Sequence, residues 1–293
     1  MQTIRLKRAI NRALAPLGYQ ITRHRAHRPG RAPEGPAGTP QPPAPAPPAA
    51  TVPSTPPAPK PLPKGGQSGG FDVDDFAQSV IGRISGRTMT SQVKVLGLID
   101  GLRYLHRYGI EGDVVECGVW RGGSMMAAAL TLMDLDDTGR ALYLYDTFEG
   151  MSAATEEDTR RRDGRAATDL MQVAAEDSLL LARASLDDVR EGMDSIGYPG
   201  PVHYVQGKVE DTIPGTVPER IALLRLDTDW FASTAHELDH LYPRLVPGGV
   251  IILDDYGYWD GARKAIDDFL DVTGERLFLV RISAGRIAVK PHG

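Results

Sequence analysis

The chain has 293 residues, a formal net charge of −5, 41% hydrophobic side chains and one cysteine, Cys117. That length suffices for one or two domains with their own core, and the single cysteine excludes an internal disulfide framework. Charge and proline are segregated: residues 1–64 carry ten Lys/Arg against Glu34 alone, a net +9, and 15 of the 23 prolines fall within 29–63. The remainder is therefore −14, which excludes a uniformly basic nucleic-acid binder.

Residues 1–28 space Leu6, Ile10, Ala13, Leu14, Leu17 and Ile21 at helical intervals, with Arg5, Lys7, Arg8 and Arg12 between them. The pattern predicts a basic amphipathic arm able to touch an anionic membrane surface or an acidic partner weakly. Residues 29–70 predict a disordered Pro/Ala linker ending in a Gly/Ser hinge, since few of their side chains could be buried. No run of 18 apolar residues and no secretory apolar core is present, so the expectation is a cytoplasmic protein, peripheral to membrane where the arm engages one.

The folded body is expected over 71–293. It opens with helices over 73–85 and 91–108, then alternates strand 113–119, helix 124–135, strand 141–146, a polar loop, a long helix near 166–190 and strand 202–207. Strand 221–227, helix 233–245, strand 249–255, helix 261–272 and short β segments at 276–280 and 286–290 follow. Apolar strand runs alternating with amphipathic helices predict an α/β, doubly wound, mainly parallel sheet covered on both faces.

Ligands in such sheets bind beyond the carboxyl ends of the strands, and four of those ends carry polar chemistry. The first, Glu116-Cys117-Gly118-Val119-Trp120-Arg121-Gly122-Gly123-Ser124, turns through glycines into a helix whose free N–H groups suit a carboxylate, while Glu116 would repel a pyrophosphate and attract an ammonium. The second, Asp146-Thr147, offers an acid to the two hydroxyls of a ribose. S-adenosylmethionine, with ribose, ammonium, carboxylate and no phosphate, fits this pair better than NAD. The third and fourth ends, Asp227-Thr228-Asp229 and Asp254-Asp255, bring together carboxylates that would repel one another without a hard divalent cation such as Mg²⁺ among them. Capping of the following helices by Asp227 and Asp255 is the plainer alternative.

The segments VVECGVWRGGS, LYLYDTFEGM, VQGKVEDTIP, LLRLDTDW and IILDDYGYW, in this order and spacing, resemble the macrocin O-methyltransferase family over roughly 71–290. The resemblance implies a seven-stranded class I methyltransferase sheet, six strands parallel and a reversed seventh at the edge. It implies an S-adenosylmethionine- and Mg²⁺-dependent O-methyltransferase acting on a sugar hydroxyl of a small glycosylated natural product or glycan. By the same resemblance Asp227, Asp254 and Asp255 would be metal ligands and Asp229, beside Asp227, the catalytic base. Glu116, Gly118, Ser124, Asp146, Thr147 and the Gln206-Gly207 turn would hold the cofactor, with Met89 in an N-terminal loop, Arg87 to Ser91, that covers it. No nucleic-acid partner is implied, and homo-oligomerisation stays open.

Two other readings compete. His236-Glu237-Leu238-Asp239-His240 formally matches the H-E-x-x-H of a zinc metallopeptidase, with Glu237 as base. Its position as a sheet-covering helix after LDTDW argues instead for histidines on a solvated helix face. The other is a non-catalytic nucleoside-binding tether, against which the full set of acidic strand ends counts. The loop 147–165, polar and Gly-punctuated, is expected to act as a lid over substrate.

Overall fold

A computed structural model describes residues 66–68, 71–175 and 178–292. The expected basic arm, and the linker apart from Gly66–Ser68, lie outside the described residues. No helix among those described is long and apolar enough to cross a membrane.

The main sheet contains β1 (Asp113–Cys117), β2 (Leu142–Asp146), β3 (Val202–Gln206), β4 (Ile221–Leu226), β5 (Leu245–Leu253), β6 (Val280–Ile282) and β7 (Gly285–Val289). Their spatial order is β6-β7-β5-β4-β1-β2-β3, with β3, β2, β1, β4 and β5 mutually parallel. β7 runs antiparallel to both β5 and β6. The reversed strand is thus inserted beside β6 rather than lying at the sheet edge, because β6 and β7 form a tight hairpin whose longer arm pairs with β5. The same hairpin register, Val280 opposite Ile287, delays the expected strand at 276–280 to Val280–Ile282.

Eight helices over the described residues cover the sheet: α1 (Asp75–Arg83), α2 (Gln92–Arg107), α3 (Gly123–Asp134), α4 (Ala167–Gln172), α5 (Leu186–Asp194), α6 (Val209–Thr212), α7 (Phe231–Leu241) and α8 (Asp260–Thr273). One apolar layer joins Val95, Leu98, Ile99 and Leu102 of α2 and Leu132 of α3 to Val114, Leu144, Leu223 and Ile252 of the sheet. On the other face Leu238 and Leu241 of α7 and Ile266 of α8 meet Val115, Leu224, Ile251 and Leu253. Each strand therefore sends alternate residues into two cores, which is why β4 reads as an unbroken buried run.

The long helix expected near 166–190 is not formed. After α4 the described chain makes a single 3₁₀ turn at Leu179–Leu181, Ala182 adopts a left-handed conformation at φ 42°, and α5 starts at Leu186. Ser178 and Ser185 stand at the starts of the 3₁₀ turn and of α5, where each hydroxyl accepts a backbone N–H two or three residues on, from Leu180 and Asp188, as an N-cap does. The break carries Leu179, Leu180 and Ala182 to the mouth of the central cavity.

Candidate functional site

A cavity of about 480 Å³ opens at the carboxyl ends of β1, β2, β4 and β5, within the range of small-molecule sites. On its β1–β2 side, Gly118 has φ 82° and lies so close to the Asp227 backbone that a Cβ there would overlap its carbonyl oxygen. Gly123, at the start of α3, donates its N–H to the Arg87 carbonyl at 2.9 Å and leaves no room for a side chain there. The segment that contains Met89 is thereby fastened over the glycine turn, and the Arg87 and Arg121 guanidiniums both grip Asp188 of α5. Asp146 Oδ2 accepts the N–H groups of Val119 and Trp120 at 2.7 and 2.9 Å, and Oδ1 that of Phe148 at 2.8 Å. Its carboxylate thus ties two strand-end loops together, accepts the Thr147 hydroxyl at 3.4 Å and lines the cavity.

Of the residues expected at the cofactor, Met89, Gly118, Ser124, Asp146, Thr147 and Gly207 all line the cavity. Glu116 and Gln206 do not. Gln206 is exposed at the end of β3, the outermost strand on that side of the sheet, and does not line the cavity. Glu116 is buried beneath the floor and pairs with Arg225, its registered neighbour on β4. Burial outweighs that partner and pushes the Glu116 pKa up to about 7.

On the β4–β5 side, Asp227, Asp254 and Asp255 each offer a carboxylate oxygen within 4.8 Å of the others. Arg225 reaches Asp227 at 2.8 Å and Asp254 at 2.6 Å, and Lys94 of α2 caps the other Asp254 oxygen. Burial opposes ionisation of Asp254, but Arg225 and Lys94 prevail and hold it below the usual carboxylate range. Burial pushes Asp227 and Asp255 well above that range, with Asp254 adding repulsion to both. Lys94 stays an ammonium: its burial works against charge, but Asp254, Asp255 and Asp227 around it raise its pKa. Glu116, Asp227, Asp229, Asp254 and Asp255 make five acids around two cations, Arg225 and Lys94. These carboxyls cannot all ionise together beside two cations, and the all-oxygen donor set fits a hard divalent cation that would let them do so.

Asp229 adopts φ 66°, which turns its side chain back into the cavity. Its Oδ1 accepts the indole N–H of Trp259 at 2.7 Å, and its own N–H donates to Asp255 at 3.2 Å. Burial first, then Asp227, pushes its pKa up to about 7, near the value best suited to a general base at neutral pH.

Sequence reasoning missed Arg225, Lys94 and Trp259. Arg225 had a visible signal, a charge inside the otherwise apolar strand IALLRL. Lys94 and Trp259 had none, since their roles come from tertiary placement. The loop 147–165 is anchored rather than hanging as a free lid. Fully buried Asp158 accepts from Phe231 N–H at 2.7 Å and from Thr155, Trp230 donates to the Ser152 carbonyl, and Arg160 bridges to Trp259.

The H-E-x-x-H segment falls on α7 as expected but does not form a zinc site. Glu237 faces the interior, accepting from Thr228 at 3.2 Å, while His236 bonds the Ile213 carbonyl and His240 the His236 carbonyl. The one group of three potential metal-binding side chains among the described residues is the aspartate triad. Burial pushes the Glu237 pKa well above its ordinary value, and burial with Glu237 beside it pushes the Cys117 thiol up, which makes the thiol inert. A raised carboxyl pKa in the folded state stabilises below the unfolded value and loses that stability as pH rises. Glu237→Gln should therefore match wild type in thermal melts near pH 5 and exceed it increasingly toward pH 9.

The family model described as "Macrocin-O-methyltransferase (TylF)" matches residues 70–283. A tetracenomycin-series rhamnosyl 4'-O-methyltransferase from Streptomyces olivaceus is 36% identical over 162 residues, 55% of this chain and 59% of that protein. The mycinamicin III 3''-O-methyltransferase of Micromonospora griseorubida is 34% identical over 168 residues, 57% of this chain and 64% of that protein. The alignments thus span under two thirds of these relatives. The solved structure of the O-methyltransferase NovP superposes with a TM-score of 0.62 at 26% identity, covering 70% of this chain and 83% of that one.

Proposed function

Because the chain belongs to the macrocin O-methyltransferase family, we propose that it transfers the methyl group of S-adenosylmethionine to a sugar hydroxyl of a small glycosylated acceptor. The observation that carries this reading is the junction, in one cavity, of a glycine turn with Asp146 and an aspartate triad with Asp229. The sulfonium would supply an activated methyl and its own leaving group. Asp227, Asp254 and Asp255 would hold Mg²⁺, whose Lewis acidity lowers the pKa of a neighbouring hydroxyl.

The chain's own residues supply position and a proton acceptor. With the methyl group supplied by the sulfonium, Asp229 would accept the proton that the acceptor hydroxyl gives up. Lys94, held as an ammonium, cannot take it. Trp259 fixes the Asp229 carboxylate, and Trp230 against Trp259 at 4.9 Å makes the cavity wall rigid. Asp146 and the N-terminus of α3 orient the nucleoside and its amino-acid tail, converting much of the barrier into positioning.

Titration calorimetry with S-adenosylmethionine and S-adenosylhomocysteine tests the cofactor assignment, and absence of binding would end it. Asp229→Asn, which keeps shape but cannot accept the proton, should bind both normally and slow single-turnover methyl transfer by about 10²–10⁴-fold. An unchanged rate would remove Asp229 as the base.

A further inference from the structure

Four arginines cluster at the β5 end of the sheet, two of them stacked on Tyr256 and two more acting on Arg286. Arg263 of α8 and Arg286 of β7 lie over its ring at 5.0 and 4.7 Å. Arg281 of β6 stands directly opposite Arg286 in the hairpin register, a like-charge juxtaposition that costs stability in an antiparallel pair. Arg161 is the fourth. Two of the four are neutralised, Arg161 by Asp260 at 2.6 Å and Arg263 by Asp267 at 3.2 Å. Arg281 and Arg286 have no carboxylate partner among the described residues, and Arg286 donates only to the Ala284 and Gly285 carbonyls. Burial, followed by the neighbouring Arg281 and the more distant Arg263 and Arg161, depresses the Arg286 pKa.

The patch adjoins the cavity wall through the β6–β7 turn and the segment after β5, at the side away from the glycine turn. Ala284, in the β6–β7 turn, and Tyr258 both line the cavity. Gly257 donates to the Ala284 carbonyl at 2.8 Å, and Arg161 N–H to that of Tyr258 at 2.9 Å. Strand order puts β7 three places from β1, so a nucleoside held at β1–β2 leaves the arginines to the other reactant. Paired guanidiniums at a stacking face recognise oxyanions by forked hydrogen bonds.

We propose that Arg281 and Arg286, with Tyr256 as platform, form an oxyanion subsite for the acceptor, so that the sugar methylated beside Asp229 carries a phosphoryl or carboxylate group. The proposal rests on the methyltransferase reading in assigning this end of the cavity to the acceptor. Isothermal titration of the full chain in divalent-free buffer with inorganic pyrophosphate, and in parallel with D-glucuronate, tests it. Saturable binding of at least one probe is expected, weakened roughly tenfold or more in Arg281→Gln/Arg286→Gln and unchanged in Arg190→Gln at the opposite sheet edge. The tighter probe identifies the source, phosphoryl or carboxylate. Exposed Arg281→Gln alone should show a smaller loss in the same direction, which covers a double variant that fails to fold. No saturable binding of either probe, or equal affinity in wild type and the arginine variants, overturns the subsite. A separate titration with S-adenosylhomocysteine that shows no binding would overturn the methyltransferase reading and leave the oxyanion result standing.

Discussion

Asp255→Ala is expected to reduce methyl transfer on the order of 10³-fold or more while shifting S-adenosylhomocysteine affinity by less than about threefold. The size follows from losing a ligand of a cation whose charge stabilisation is worth several kcal/mol, at about 1.4 kcal/mol per tenfold in rate. The selectivity follows from position, since Asp255 follows β5 while the residues proposed to hold the nucleoside follow β1 and β2. Among the three ligands Asp255 gives the cleanest test. Asp227 and Asp254 also pair with Arg225, and Asp254 also pairs with Lys94, so their removal would weaken the pairing of buried cations and confound catalysis with folding. Asp255 forms no ion pair among the described residues; it accepts the Asp229 N–H, and its carboxyl lies beside that of Asp229 and near Lys94. Removing it relieves repulsion, so its melting temperature should hold or rise. Wild type treated with EDTA should reproduce the kinetic loss and recover better with Mg²⁺ than with Zn²⁺. Full turnover in EDTA, or in the variant, would eliminate the metal triad.

How much of this could be read beforehand depends on whether a residue's role is set by its strand or by its neighbours. The aspartates sit where parallel strands must end, so a rule about strand ends located Asp146, Asp227, Asp254 and Asp255 without a structure. The same rule misplaced Glu116. One residue before the end of β1, it lies a step below the strand-end acids, buried under the floor where β4 supplies Arg225. Local signals failed between α4 and α5 because hydrophobic spacing alone reads through Ser178 and Ser185, whose hydroxyls cap new helical starts. The H-E-x-x-H match shows the converse. Spacing placed both histidines on one helix, but their hydrogen bonds to carbonyls and the inward turn of Glu237 depend on packing that the pattern does not encode.

Arg225→Met should cost about 3–5 kcal/mol of stability, the range for breaking a buried ion pair by removing one partner. Arg225 is 2% exposed, and its guanidinium serves Glu116, Asp227, Asp254 and the Thr90 hydroxyl at once. Methionine fills a similar volume, so the loss would report electrostatics rather than a cavity. Glu116, with Oε2 already unpartnered, would be left as a buried acid without any cation. Its folded pKa, about 7, already exceeds the ordinary 4.5, so it contributes stability below pH 4.5 that is lost as pH rises through 7. Without Arg225 that pKa rises further and the loss deepens, so the gap between wild type and variant should widen from pH 5 to pH 8 in urea denaturation. Glu116→Gln in the Arg225→Met background should recover part of the stability, most of it at the higher pH, because the orphaned charge is then gone. A gap independent of pH, together with no recovery in the double variant, would mean that Arg225 supports the floor by packing alone and that Glu116 is not its electrostatic partner.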